Sequence, residues 1–140
     1  MLTTRLLHPT VLKVLAASGH GGKVLIADGN YPFVTRANPS AERVYLNLVP
    51  GVLTVTDVLG AILTVIPVEA AHVMLTDDGT EPEIYADFRQ ILTVDLQPMR
   101  RHDFYEFARD PDLALVVATA EQRLYANIIL TIGVVPPNGQ

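Results

Sequence analysis

The chain has 140 residues, of which 49% are hydrophobic and 18% charged, with a net charge of −5 and no cysteine. A single domain of this length buries roughly two-thirds of its unfolded surface. The acidic balance disfavours nucleic acid and anionic membranes as partners, and the lack of cysteine rules out disulfides, thiolate chemistry and zinc–cysteine sites.

Pro9, near the first helical position, and Ser18-Gly19 frame a helix with an apolar face of Val11, Leu12, Val14 and Leu15. Gly19-His20-Gly21-Gly22 leads into the apolar run Lys23 to Ala27, which reads as a buried strand ending in Asp28. Residues 33–50 carry no regular pattern. Thr56-Asp57 is expected to cap a helix from Val58 to Val65, which must stop before Pro67. Ala71 to Leu75 predicts a second buried strand, and Glu81-Pro82 opens a helix running to about Leu92. Val94 to Leu96 reads as an edge strand ending near Pro98, and Arg101 to Phe107 as a short helix. Leu113 to Thr119 is the strongest strand signal. A polar connector, Thr119 to Tyr125, precedes a last strand from Asn127 to Val135. Helices alternating with short apolar strands predict one α/β domain over residues 1–140, three-layered α/β/α, with a mostly parallel or mixed central sheet.

The mean hydropathy of +0.29, without an apolar run long enough to cross a bilayer, implies apolar surface buried between subunits, hence a homo-oligomer. The apolar stretch before His8-Pro9 is too short for a signal peptide, so a cytoplasmic location is expected.

His20 and Asp28 are the first chemical candidates. A helix stopping at glycine and a strand ending in a carboxylate are expected to bring them to one edge of the sheet, where open α/β folds hold ligands. An imidazole and a carboxylate can move protons without a cofactor. Each also has a plainer reading, His20 as a residue at a helix C-terminus and Asp28 as a turn aspartate capping Asn30. Gly21-Gly22-Lys23 fails as a phosphate loop, since Ala17 and Val24 occupy positions that need Gly and Ser or Thr. Ser18 and Ser40 lie outside any nucleophile-elbow motif. His20, Asp28, His72 and His102 show no metal-ligand spacing, so no metal is expected. Tyr125 and Asn127 offer directional, uncharged hydrogen-bonding groups suited to sugar hydroxyls. Arg101 is suited to a hydroxylated or anionic ligand, Glu121 and Arg123 read as solvated loop charges, and Asp57 as a helix cap.

Taken together, Gly19-His20-Gly21, Asp28 with Tyr31-Pro32, Asp57-Val58-Leu59, Arg101 with Phe104-Tyr105-Glu106, Glu121, Tyr125-Ala126-Asn127 and Gly133-Val134 resemble the ribose-pyranase and fucose-mutarotase family of monosaccharide anomerases. The resemblance runs from Leu7 to about Val135. It implies exchange of anomers or ring forms of a free monosaccharide without cofactor or metal, in ring-like homo-oligomers, often decamers, with sites near subunit boundaries. It further implies His20 and Asp28 as the acid–base pair, with Tyr125 sharing the proton relay, and Tyr125, Asn127 and Arg101 as sugar contacts. Arginine followed by Phe-Tyr-Glu is similar to the fucose branch, whereas ribose-type members tend to have histidine at the position of Arg101. Asn30 departs from the fucose branch, which often has histidine there.

Overall fold

The computed structural model describes residues 1–139. The first helix, α1 (Pro9–Ser18), starts with proline at its N-terminus and His8 Nδ1 accepting from Val11 N; its C-cap is Gly19, at φ 67°. A left-handed residue is cheap only as glycine, so the helix ends there and the chain turns into β1 (Lys23–Ala27). The remaining elements are β2 (Glu42–Tyr45), α2 (Val55–Ile62), β3 (Val68–Met74), α3 (Tyr85–Ile91), β4 (Leu96–Met99), α4 (Arg101–Phe107), β5 (Leu113–Ala118) and β6 (Ile128–Ile132).

The strands form one sheet in the order β2-β5-β1-β6-β3-β4. β6 runs antiparallel to both of its neighbours, β1 and β3, while the other pairings are parallel. The sheet is mixed, as the alternation of elements implied. Val24 and Ile26 face a core shared with α1, α2 and α3, through Val11, Leu15, Leu59 and Phe88. Leu25 and Ala27 face the opposite core, with Phe104 and Ala108 at α4 and Tyr31 from the connection after β1. Strands covered on both faces read as unbroken apolar runs, which is why β1, β5 and β6 stand out in the sequence.

Among the elements that differ from the sequence reading are β2, α2 and β4. β2 lies within the stretch that showed no pattern: it is a four-residue edge strand in which only Val44 is fully buried, too short to set up an alternation. The cap of α2 is Thr54, not Thr56. Thr54 Oγ1 accepts from Asp57 N at 3.2 Å, and Asp57 Oδ2 accepts from Thr54 N at 3.1 Å. This reciprocal box starts the helix three residues early and accounts for Asp57 as a cap. β4 contains Pro98 instead of stopping before it. As an edge strand paired only with β3, it tolerates the missing donor.

Candidate active site

The site follows from one feature of the topology. β5 and β6 flank β1, so the chain leaving β5 must cross the carboxyl end of β1 to enter β6. The Thr119–Asn127 connector therefore lies over Asp28. Thr119 N and Oγ1 both donate to Ala27 O, at 3.1 and 2.7 Å. Gly29 N donates to Glu121 O at 3.0 Å. Asp28 N donates to Asn127 Oδ1 at 2.7 Å, and Ala126 N donates to Asp28 Oδ2 at 3.1 Å. Between these ties Tyr125 adopts φ 57°, a left-handed conformation that costs a tyrosine ~1–3 kcal/mol and persists only where its surroundings enforce it.

Beneath the connector is a cavity of about 240 Å³, lined by Asp28, Tyr31, Arg101, Tyr105, Tyr125 and Asn127 among others. Asp28 and Asn127 are each 3% exposed. Burial raises the Asp28 pKa, against the lowering effect of the amides of Asn30 and Ala126, so this carboxyl keeps its proton to higher pH than usual. Asn30 N donates to Asp28 Oδ1 at 3.0 Å, so Asp28 is a turn cap as well as a pocket wall. Arg101 opens α4 and turns its guanidinium toward Asp77, Nε to Oδ1 3.4 Å. Tyr31 donates to Arg36 O at 2.6 Å, and burial pushes its phenol up; it serves as packing. A larger cavity of about 460 Å³ shares Asn30 and is walled by residues 47–50 and 119–122. Its one carboxylate, Glu121, is bound by Arg123, which leaves the smaller cavity, with Asp28, as the candidate site.

Asp28, Arg101, Tyr125 and Asn127 are thus brought together. His20 is not. It precedes β1 while Asp28 follows it, so the strand's length, about 16 Å at ~3.3 Å per residue, separates them. The expectation of a shared edge fails because residues entering and leaving one strand lie at opposite ends of the sheet. At its own end, Gly21 N donates to Ile132 O at 2.9 Å. His20 Nε2 lies 3.1 Å from both carboxylate oxygens of Glu69, at the start of β3. Sequence reading missed Glu69; the antiparallel pairing of β6 with β1 and β3 that creates the contact is not visible in local pattern.

The solvated-charge reading of Glu121 is also overturned: it is 4% exposed. Burial pushes its carboxyl up, but hydrogen bonds from the Arg123 guanidinium and backbone amides outweigh this and hold it below the usual range. His72 packs its ring 4.3 Å from Phe107, and His102 lies edge-on to Tyr105 at 6.2 Å. Among the described residues no three His, Cys, Asp or Glu side chains are grouped to hold a metal ion, and no helix is long and apolar enough to cross a membrane.

The chain matches the RbsD / FucU transport protein family over residues 1–135. It is 34% identical to a D-ribose pyranase of Paracidovorax citrulli, with 96% of this chain and 98% of that protein covered. It is equally 34% identical to a fucose mutarotase of Danio rerio, over 96% of this chain and 93% of that one. The crystal structure of a fucose mutarotase from Streptococcus pneumoniae in complex with L-fucose superposes with a TM-score of 0.83 at 31% identity, covering 97% of this chain and 100% of that chain.

Proposed function

The chain belongs to the RbsD / FucU transport protein family, and on that premise we propose that it is a mutarotase that interconverts the anomers of a free monosaccharide, with L-fucose preferred. The observation that carries this reading is the cavity wall itself. Asp28 and Asn127, 99 positions apart in sequence, are locked together by a 2.7 Å hydrogen bond and share that wall with Tyr125 and Arg101. A buried carboxyl, a phenol, a carboxamide and a guanidinium suit a polyhydroxylated, uncharged ligand.

The reaction opens and recloses a hemiacetal. A base takes the anomeric O–H proton while an acid protonates the ring oxygen; the ring C–O bond breaks, the aldehyde rotates, and closure on its other face reverses both transfers. Two proton-transfer groups suffice, each contributing ~10²–10⁴-fold. Asp28, with its raised pKa, is the buried proton-transfer group, Tyr125 shares the relay at the anomeric oxygen, and Asn127 and Arg101 orient hydroxyls. The second group is His20 from a neighbouring copy. Glu69, accepting from His20 Nε2, fixes the tautomer with the proton on that nitrogen and leaves Nδ1 as the free acceptor. Leu124, 63% exposed at the cavity mouth, and Leu48, 79% exposed beside it, supply apolar surface for such a copy to cover. The assembly is a ring-like homo-oligomer with a site at each boundary.

Arg101 in the cavity wall supports L-fucose. Interconversion of D-ribose ring forms is the second reading, supported by the D-ribose pyranase relative and by Asn30 at the cavity. Saturation-transfer NMR on the anomeric protons of L-fucose and D-ribose tests both. Exchange accelerated by catalytic amounts of protein, faster for L-fucose, is the expected result. Binding without acceleration for either sugar would instead make the protein a non-catalytic sugar-binding subunit.

A further inference from the structure

The connector carries a partly buried network, centred on the buried Glu121, that the reaction does not use. Glu121 Oε1 accepts from Arg123 N at 3.1 Å and from Arg123 Nε at 2.9 Å. Its Oε2 accepts from Arg123 Nη2 at 3.1 Å and from Val55 N, in the first turn of α2, at 3.2 Å. Arg123 Nη1 in turn donates to Asp87 Oδ2 of α3 at 2.6 Å. Three of the five N–H donors of one guanidinium fork are thereby held by two carboxylates, one tied to α2 and the other on α3. Such planar, doubly held pairs define geometry more sharply than a point charge does.

The placement of this network within the connector gives it a use. Downstream, Arg123 stands two residues before Tyr125, the left-handed residue. Upstream, the backbone oxygen of Glu121 holds Gly29 N at 3.0 Å, and a side chain at residue 29 would meet that oxygen at 3.3 Å. The connector is therefore fastened to the Asp28 turn on one side and to α2 and α3 on the other. On the downstream side Ala126 N ties the chain beside Tyr125 to Asp28, and on the upstream side the fork ties it to α2 and α3, so the two together brace that residue's unfavourable backbone.

We infer that Glu121, Arg123 and Asp87 are positioning residues for Tyr125, holding the connector so that the phenol meets the sugar in the cavity. This rests on the anomerase reading of that cavity. Arg101 pairs with Asp77 and Asn127 with Asp28 N, neither through the fork, so the effect falls on kcat more than on KM.

The test is a double-mutant cycle on anomer exchange. Arg123→Met alone leaves Glu121 buried and unpaired and endangers folding, so Arg123→Lys and the uncharged pair Glu121→Gln/Arg123→Met carry the measurement, each checked by thermal unfolding. In the presence of Tyr125 each is expected to lower kcat by roughly 10- to 100-fold with KM nearly constant, Arg123→Lys less than the pair. In a Tyr125→Phe background the same changes are expected to cost less than about 3-fold, because the group they position is gone. Equal losses in both backgrounds would overturn the inference and make the network a fold element only. If the unmodified protein accelerates no sugar, the anomerase reading fails by itself, and amide hydrogen exchange then decides on the network. Selective loss of protection at Ala126 in Arg123→Lys would uphold the fastening; unchanged protection there would overturn it.

Discussion

At the carboxyl end of β1, Asp28 is 3% exposed with both oxygens tied to backbone amides, and the segment above it is fastened at several points. At the other end, the side chains of His20 and Glu69 are 57% and 47% exposed and meet each other at 3.1 Å. The first end is a buried, closely fastened pocket, with a carboxyl whose pKa burial raises. The second is an open, solvated pair flanked by glycine. A side chain cannot close the length of a strand, so the difference implies a division of labour. Under the proposed function, one copy would bind the sugar and the glycine turn of another would deliver the imidazole.

The largest expected effects break this comparison outright. His20→Ala and Asp28→Asn should each fold and assemble, and each should lower the exchange rate by ~10²–10⁴-fold. Co-assembled in equal amounts, the two inactive variants should regain about a quarter of unmodified activity, the fraction of boundaries that pair an intact Asp28 with an intact His20 in a heterologous ring. Assay of the mixture against each variant alone checks this. No recovery would mean that one chain holds the whole site, contrary to the division above.

Smaller changes sharpen it. Glu69→Gln should keep the sugar affinity and thermal stability while lowering kcat by roughly 10-fold, less than the ~10²–10⁴-fold expected of a proton-transfer group, because it only orients His20. Steady-state NMR exchange across sugar concentrations separates the two parameters. Asn127→Ala should act in the opposite sense. It strips the acceptor from Asp28 N in a buried setting, at a cost of ~1–3 kcal/mol, and widens the cavity, so the unfolding temperature falls and KM rises. If Asn127→Ala left stability untouched, the carboxyl end would not be the rigid one.

Much of the pocket end is legible in the amino-acid sequence. The runs that form β1, β5 and β6 are apolar because both faces of the sheet are covered, and Pro9 and Gly19 mark α1 by backbone constraints that act locally. Asp28 and Asn127 stand out as polar groups bordering such runs, whereas Arg101, beside Arg100 and His102, and Tyr125 gain their roles from the family resemblance. Which end of the sheet a residue occupies depends on strand direction and order, and these are set by long-range pairing. Local pattern therefore puts His20 beside Asp28 and gives no sign of Glu69. Glu121 is deceptive for a related reason. A carboxylate two residues from an arginine in a polar connector looks solvated, and only the arrival of α2 and α3 encloses it.

The least of the expected effects concerns the sheet face between the two ends. His72, on β3 three residues beyond Glu69, packs on Phe107 of α4, and its Nδ1 is buried without a hydrogen-bond partner among the described residues. Burial lowers its pKa, and the charge of Lys23 lowers it further; Lys23 itself lies 3.6 Å from Asp112 and 3.9 Å from Asp110. A histidine whose folded pKa is depressed binds fewer protons in the native than in the unfolded chain. Stability from this group is therefore present above the ordinary histidine value near ~6.5 and declines as pH falls from there toward the depressed folded value. His72→Leu removes the titration and keeps the contact with Phe107. Its unfolding temperature should match or exceed that of the unmodified protein at about pH 5.5, with the gap closing at about pH 7.5, on either side of the ordinary histidine value. The exchange rate should be unaffected, since His72 is not among the residues lining the cavity. An identical acid-induced fall in both proteins would show that the imidazole takes up its proton freely in the fold. The acid sensitivity would then have to be sought at the ends of the sheet.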